Sequence, residues 1–435
     1  MIKTNSIKSF VPLLLASVTL LTNSSVAKAV NFNFSYAPDT TLDQKLGFEM
    51  AGQIWSSYLT DDFTTNIYVK IASPDELPTN VIGGALPGIE AEEEYKKYRE
   101  YVEEDAISTA DGIAMSSLET RHDKYDKFTA MYNGKVVEEM NRLNITLANA
   151  KAIDLISDNN DLDGYILMSD LSDAPVDWNY DFLNDTVSDG SLDYLSVALH
   201  EVGHVMGFVS GVDNPGWLNI MTEHEAKDDL IKRDKIKFFN PLDLYRFTEE
   251  SATVNAVDIS IGGNPFFSIN GGATNLGNFA TGQATNAGGD GYQASHWERQ
   301  SNVLGIMDPV LSVGQKRQIT DLDLTAFDVI GYDFNDAADL NLTNMYQTAL
   351  TNANSALVAD RSADVEEMID DSKIYEGRRS GWGQEGFWQE AYFSEFSWQT
   401  VDLPADSQSV PEPGSTISIF GLGLLGLGKM LKKRK

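Results

Sequence analysis

One segment restricts this chain more than any other. Residues 192–208 read LDYLSVALHEVGHVMGF. Leu192, Leu195, Leu199, Val202 and Met206 recur at steps of three and four, so they line one helical stripe turned toward a core. His200 and His204 project together from a different face. The pattern predicts a buried helix over 193–206 that stops at Gly207, a residue poor in helix interiors and suited to a C-terminal cap. Any fold for this chain must bury that helix and accommodate two imidazoles on it. Two nitrogen ligands at this spacing can hold one Zn²⁺ at about 2.0–2.1 Å each. Glu201, beside the first of them, is positioned to take a proton from an attacking water rather than to bind the metal.

Composition narrows the chemistry further. The chain has no cysteine, which removes disulfide scaffolds, thiolate metal sites, cysteine nucleophiles and thiol-based latency. Five histidines remain, at positions 122, 200, 204, 224 and 296, so any imidazole chemistry is built from that set. A formal net charge of -33 repels phosphate backbones, and no nucleic-acid partner is expected. With hydrophobic residues at 42%, global disorder is excluded and a sizeable core is available.

Both ends read as addresses. Lys3 and Lys8 precede an apolar run over 10–21 that is too short to span a bilayer, and AKA at 27–29 is an A-x-A cleavage pattern. Residues 1–29 are therefore expected to be a secretory signal peptide. At the other end, PEP at 411–413 leads into a glycine-rich apolar stretch and a basic tail. This tripartite arrangement over 411–435 resembles the PEP-CTERM sorting signal. It implies an exosortase-type partner, transient membrane association through the C-terminal segment, and a secreted or envelope-associated destination.

Between the ends, residues 43–58 and 91–104 read as helices, the second as a solvated, charge-dense one. Residues 65–71 and 164–171 read as strands, and the latter is the expected sheet edge for an extended peptide. The expected division is a catalytic domain over 30–335, a helical and aromatic-rich extension over 336–398, and a linker over 399–410. A weaker metal pattern lies at 159–170. Asn159, Asp161 and Asp163, a turn glycine at 164 and a later Asp170 could offer oxygen ligands to Ca²⁺.

A catalytic zinc takes three protein ligands and keeps one position open. Ser210 stands where the compact pattern HExxHxxGxxH would have its third histidine, so the third ligand must come from elsewhere. Glu225 opens EAKDD, an E-x-x-x-D pattern; His296 lies in ASHWE, with GIMDP at 305–309 shortly after. His122 and His224 lack a partner pattern and read as solvated.

HExxHxxGF, a long insertion, a later Ser-His-Trp and a downstream Met-x-Pro together resemble leishmanolysin, the metzincin with a displaced third histidine. Residues 321–332, DLDLTAFDVIGY, are similar to the helix that follows the methionine turn in metzincins. The layout is also similar to a bacterial group of PEP-CTERM-bearing metalloproteases. The resemblance implies an α+β, metzincin-like fold with a twisted sheet, an active-site helix and a lower subdomain with a Met-turn. It implies His200, His204 and His296 as zinc ligands, Glu201 as general base and Met307 beneath the metal; Glu225, from its E-x-x-x-D pattern, stays the alternative third ligand. The activity implied is that of a secreted zinc endopeptidase acting on peptides or proteins; the alternative is an extracellular matrix or surface binding protein with a degenerate site. The chain departs from leishmanolysin in having no disulfides. Asp308 and Pro309 after Met307 leave no tyrosine to stabilise an oxyanion.

Overall fold

The structure is a computed structural model, and it describes residues 29–73, 76–78, 80–119, 126–212, 238–335, 338, 340–372 and 397–403. It is a mixed α+β protein whose centre is a seven-stranded sheet. The strands are β1 (Asn31–Tyr36), β2 (Thr64–Ala72), β3 (Val81–Pro87), β4 (Gly164–Ser169), β5 (Val310–Ser312), β6 (Leu357–Val358) and β7 (Ser397–Asp402). In space they run β5-β7-β3-β4-β2-β1-β6. β1, β2 and β4 are parallel, and β3 is antiparallel to β4.

The period-two alternation of strands sorts the side chains into two layers. Ile67, Val69, Ile166 and Met168 join the large core on one face, while Tyr68, Tyr165 and Leu167 join a second cluster on the other. Helix α1 (Leu42–Tyr58) starts at a Thr41–Gln44 capping box and lays Phe48 against Phe34 of β1. Helix α2 (Tyr194–Met206) packs on the same face, where Trp55 Nε1 of α1 donates to the Leu199 carbonyl at 3.1 Å. On the opposite face lies α5 (Ser362–Asp371), through Val365 and Met368. Between α2 and α5 in the chain, the longer helices are α3 (Asp321–Asp328) and α4 (Leu342–Ser355).

Four expectations need correction. Strand β4 is not an edge, because β2 and β3 pair with it on both sides. Its GYILMS run is buried throughout, as a central strand covered on both faces must be. Residues 89–94 are not helical but pair antiparallel with 142–146. The helix begins at Tyr95 and buries Tyr95, Tyr98 and Val102, so it is amphipathic rather than solvated all round. Residues 399–402, read as linker, are strand within β7. Beyond residue 335 the chain also returns to the core, where β6 pairs with β1 and Ala349 and Ala353 of α4 are fully buried.

Candidate metal centre

Helix α2 is fixed at both ends. Asp193 caps its start, accepting from the Ser196 amide at 2.9 Å and the Ser196 hydroxyl at 2.6 Å. Gly207 ends it at φ 125, a conformation that side chains disfavour. The turn brings the Phe208 carbonyl back to within 2.7 Å of His204 Nδ1. His200 Nδ1 meets the Ile306 carbonyl at 2.8 Å, and His296 Nδ1 meets the Gln293 carbonyl at 3.0 Å.

A carbonyl oxygen can only accept, so each Nδ1 carries the proton and each Nε2 is left with a bare lone pair. Those three Nε2 atoms face one another, 3.0 Å apart for His200–His204 and 3.2 Å for the two pairs with His296. All three rings are fully buried. Burial pushes His200 down to about 4, and lowers His204 and His296 well below the ordinary imidazole range. Protonation therefore does not relieve the clash of lone pairs, and a cation among the three nitrogens would. The spacing suits a tetrahedral ion with metal–nitrogen bonds of about 2.0–2.1 Å. Neutral imidazole is also a donor that zinc favours, so the residues present fit the ion.

Glu201 is fully buried, and neither carboxylate oxygen has a hydrogen-bond partner among the described residues. Burial alone raises its affinity for a proton well above that of an ordinary glutamate. Met307 lies under α2, where a Cβ added at Gly203 would come within 2.6 Å of its Sδ. Gly203 thus lets the thioether approach the helix between the two histidines.

Sequence reasoning missed Asp323, which ties this lower layer together. Its buried carboxylate accepts from the Ile306 amide at 2.8 Å, Trp297 Nε1 at 2.8 Å and the Thr320 amide at 2.8 Å. One side chain thereby links the neighbour of His296, the segment carrying Met307 and the start of α3. The Thr320-x-x-Asp323 capping box was the available signal.

Glu225, His224 and His122 lie outside the described residues, as do 1–28 of the signal-peptide reading. The calcium candidates do not converge. Asp163 turns to Lys151 Nζ at 2.8 Å and the Asn66 amide at 2.8 Å, whereas Asp170 accepts locally from the Ser172 amide. The two aspartates flank opposite ends of β4, a separation of roughly 20 Å at about 3.3 Å per strand residue. Asn159 spends its side-chain oxygen on the Asp161 amide. A different acidic group does converge: Asp61, Asp105 and Asp333 bring carboxylate oxygens within 4.8 Å of one another.

The PEP-CTERM protein-sorting motif matches residues 409–435. This chain therefore carries a C-terminal signal for export toward the envelope or exterior, of the kind an exosortase-type enzyme handles. No curated protein and no solved structure matches the chain.

Proposed function

We propose that this protein is an exported zinc-dependent endopeptidase in which His200, His204 and His296 hold the metal and Glu201 is the general base. The observation that carries the reading is the meeting of three proton-free Nε2 atoms next to a buried carboxylate that lacks a partner among the described residues. A zinc ion held there would supply Lewis-acid polarisation of a scissile carbonyl and make a water acidic enough to attack near neutral pH.

The chain's own groups do the rest. The three backbone carbonyls at Ile306, Phe208 and Gln293 hold each ring in one tautomer and one orientation. Glu201, whose affinity for a proton burial raises, accepts the proton of the attacking water and returns it to the leaving amine. Met307 and Asp323 keep the lower layer in register with α2. The metzincin-like, leishmanolysin-like reading of the fold is supported by the same features: a displaced third histidine, a methionine beneath the helix and a following helix α3.

Casein or gelatin zymography with and without a chelator tests the activity, and elemental analysis tests the metal. Chelator-sensitive clearing and zinc near one equivalent are expected. A well-folded protein that retains no zinc and clears neither substrate would refute the reading and favour a binding protein.

A further inference from the structure

Strand β7 runs across the candidate site. It is antiparallel to β3, with Ser397 opposite Ala85, Trp398 opposite Gly84 and Gln399 opposite Gly83. It is parallel to β5, with Thr400 opposite Val310 and Val401 opposite Leu311. Both neighbours belong to the site's walls. β5 follows directly on Met307, and Gly83 of β3 lies so close to α2 that an added Cβ would stand 2.7 Å from Glu201 Oε1.

Directly opposed residues of an antiparallel pair point to the same face. Gln399, opposite Gly83, therefore faces α2 beside Glu201. Trp398 goes to the other face, over Gly84, among the second cluster of apolar residues. Gln399 is fully buried; its Nε2 donates to the Asp308 carbonyl at 3.4 Å. Its Oε1 has no partner among the described residues. The strand also reaches the loop that carries the third histidine. The Trp398 amide donates to Gln293 Oε1 at 2.6 Å, and Gln293 is the residue whose carbonyl holds His296. Ser397 Oγ meets Ser295 Oγ at 3.2 Å.

β7 thus links β3 to β5 and to the loop that carries His296, and the three rings have no exposure. Paired on both sides, it still carries two local irregularities. Its register slips between Gln399 and Thr400, and it buries a polar side chain only half satisfied. Without it, β3 would be an open edge facing β5, the geometry in which sheets capture extended peptides by main-chain hydrogen bonds.

We propose that the slot between β3 and β5 is the peptide-binding cleft of this site, and that Ser397–Asp402 occupies it in the resting protein as an intramolecular inhibitory strand. The inference rests on the peptidase reading above and adds its regulation. A substrate would enter extended, antiparallel to β3, and would have to displace β7.

The test uses the full chain loaded with cobalt and acetohydroxamate as a small metal-seeking probe. In the parent the cobalt spectrum should stay unmoved by the probe. Thr400→Pro removes the amide that donates to the Pro309 carbonyl at 3.0 Å and should open the slot. The spectrum should then shift with the probe, and casein hydrolysis should rise at least tenfold. Because the chain has no cysteine, the pair Ala85→Cys and Ser397→Cys gives a clean reversible lock. The oxidised form, in which β7 cannot be displaced, should lose casein hydrolysis, and reduction with a phosphine should restore the parental rate. Equal probe access in the parent, the oxidised lock and Thr400→Pro, with equal hydrolysis, would overturn the inhibitory strand while leaving the peptidase reading intact. If Thr400→Pro does not fold, the lock decides alone: loss of casein hydrolysis on oxidation, regained on reduction, supports the proposal, and unchanged hydrolysis on oxidation overturns it. Failure of the parent to bind cobalt at all would refute the metal reading itself, and the inhibitory strand with it.

Discussion

His296 Nε2 stands 3.2 Å from His200 Nε2, and each ring has its other nitrogen turned to a backbone carbonyl. The approach is unfavourable for two lone pairs alone and favourable around a shared cation. His296→Ala is therefore expected to lower zinc affinity by more than the roughly 10–100-fold that follows loss of an outer partner. Glu225→Ala is expected to change it little. Elemental analysis after dialysis against a weak chelator checks both, and the reverse ranking would transfer the third-ligand role to Glu225.

Glu201 contributes no nitrogen to the cluster and lacks a partner for either oxygen among the described residues. Glu201→Gln preserves its shape and removes its capacity to take a proton. The variant should keep its zinc and lose about 10²–10⁴-fold in peptide hydrolysis, the usual share of a general base. Parental turnover in a zinc-replete Glu201→Gln protein would exclude the assigned role.

The parts of this architecture that were legible in the sequence are those set by local periodicity. Helix α2 was readable because its apolar step and its Gly207 stop lie within one short segment. The meeting of His296 with the helix was not readable from spacing, since it depends on how 238–335 folds under α2; a family resemblance pointed to it instead. Strand β4 carried a signal that was misread. An unbroken apolar run of that length marks a strand covered on both faces, and an edge strand alternates. Strand β7 was hidden for a different reason. SWQTVD is polar and precedes a proline, so its propensity resembles a linker, and its strand character comes from β3 and β5, both distant in sequence.

Asp323 holds the lower layer by accepting from Ile306, Trp297 and Thr320 at once. In Asp323→Asn one oxygen becomes an amide donor facing these donors. That should cost about 1–3 kcal/mol of stability, the usual consequence of a buried donor left without an acceptor. The effect should be visible as a lower denaturant midpoint with an unchanged slope. Zinc retention should weaken as well, since the Ile306 carbonyl that orients His200 sits in the segment Asp323 fixes. Unaltered midpoint and unaltered zinc content would show that other contacts fix this layer.

Asp61 is buried beside Asp105 and Asp333, and burial first, then the charges of Asp333 and Asp105, push it up to about 8. Asp105 is pushed up to about 7 by burial, with Asp333 and other aspartates adding to it. An aspartate in the unfolded chain titrates near 3.9, so between about pH 4 and pH 8 the folded protein holds protons that the unfolded chain has released. Stability from this cluster is thus complete below about pH 4 and is lost as pH rises through the folded values, by up to about 1.4 kcal/mol per pH unit for the Asp61 proton and by less for Asp105, whose partial exposure lets solvent screen it. Asp61→Asn keeps an acceptor for the Asp333 amide, which Asp61 engages at 3.2 Å, and takes one titrating charge out of the group. The variant should match the parent's melting temperature near pH 4 and exceed it increasingly toward pH 8. Melting curves of metal-stripped parent and variant across that range decide the matter, because parallel profiles would mean that the three carboxylates do not share protons in the folded state.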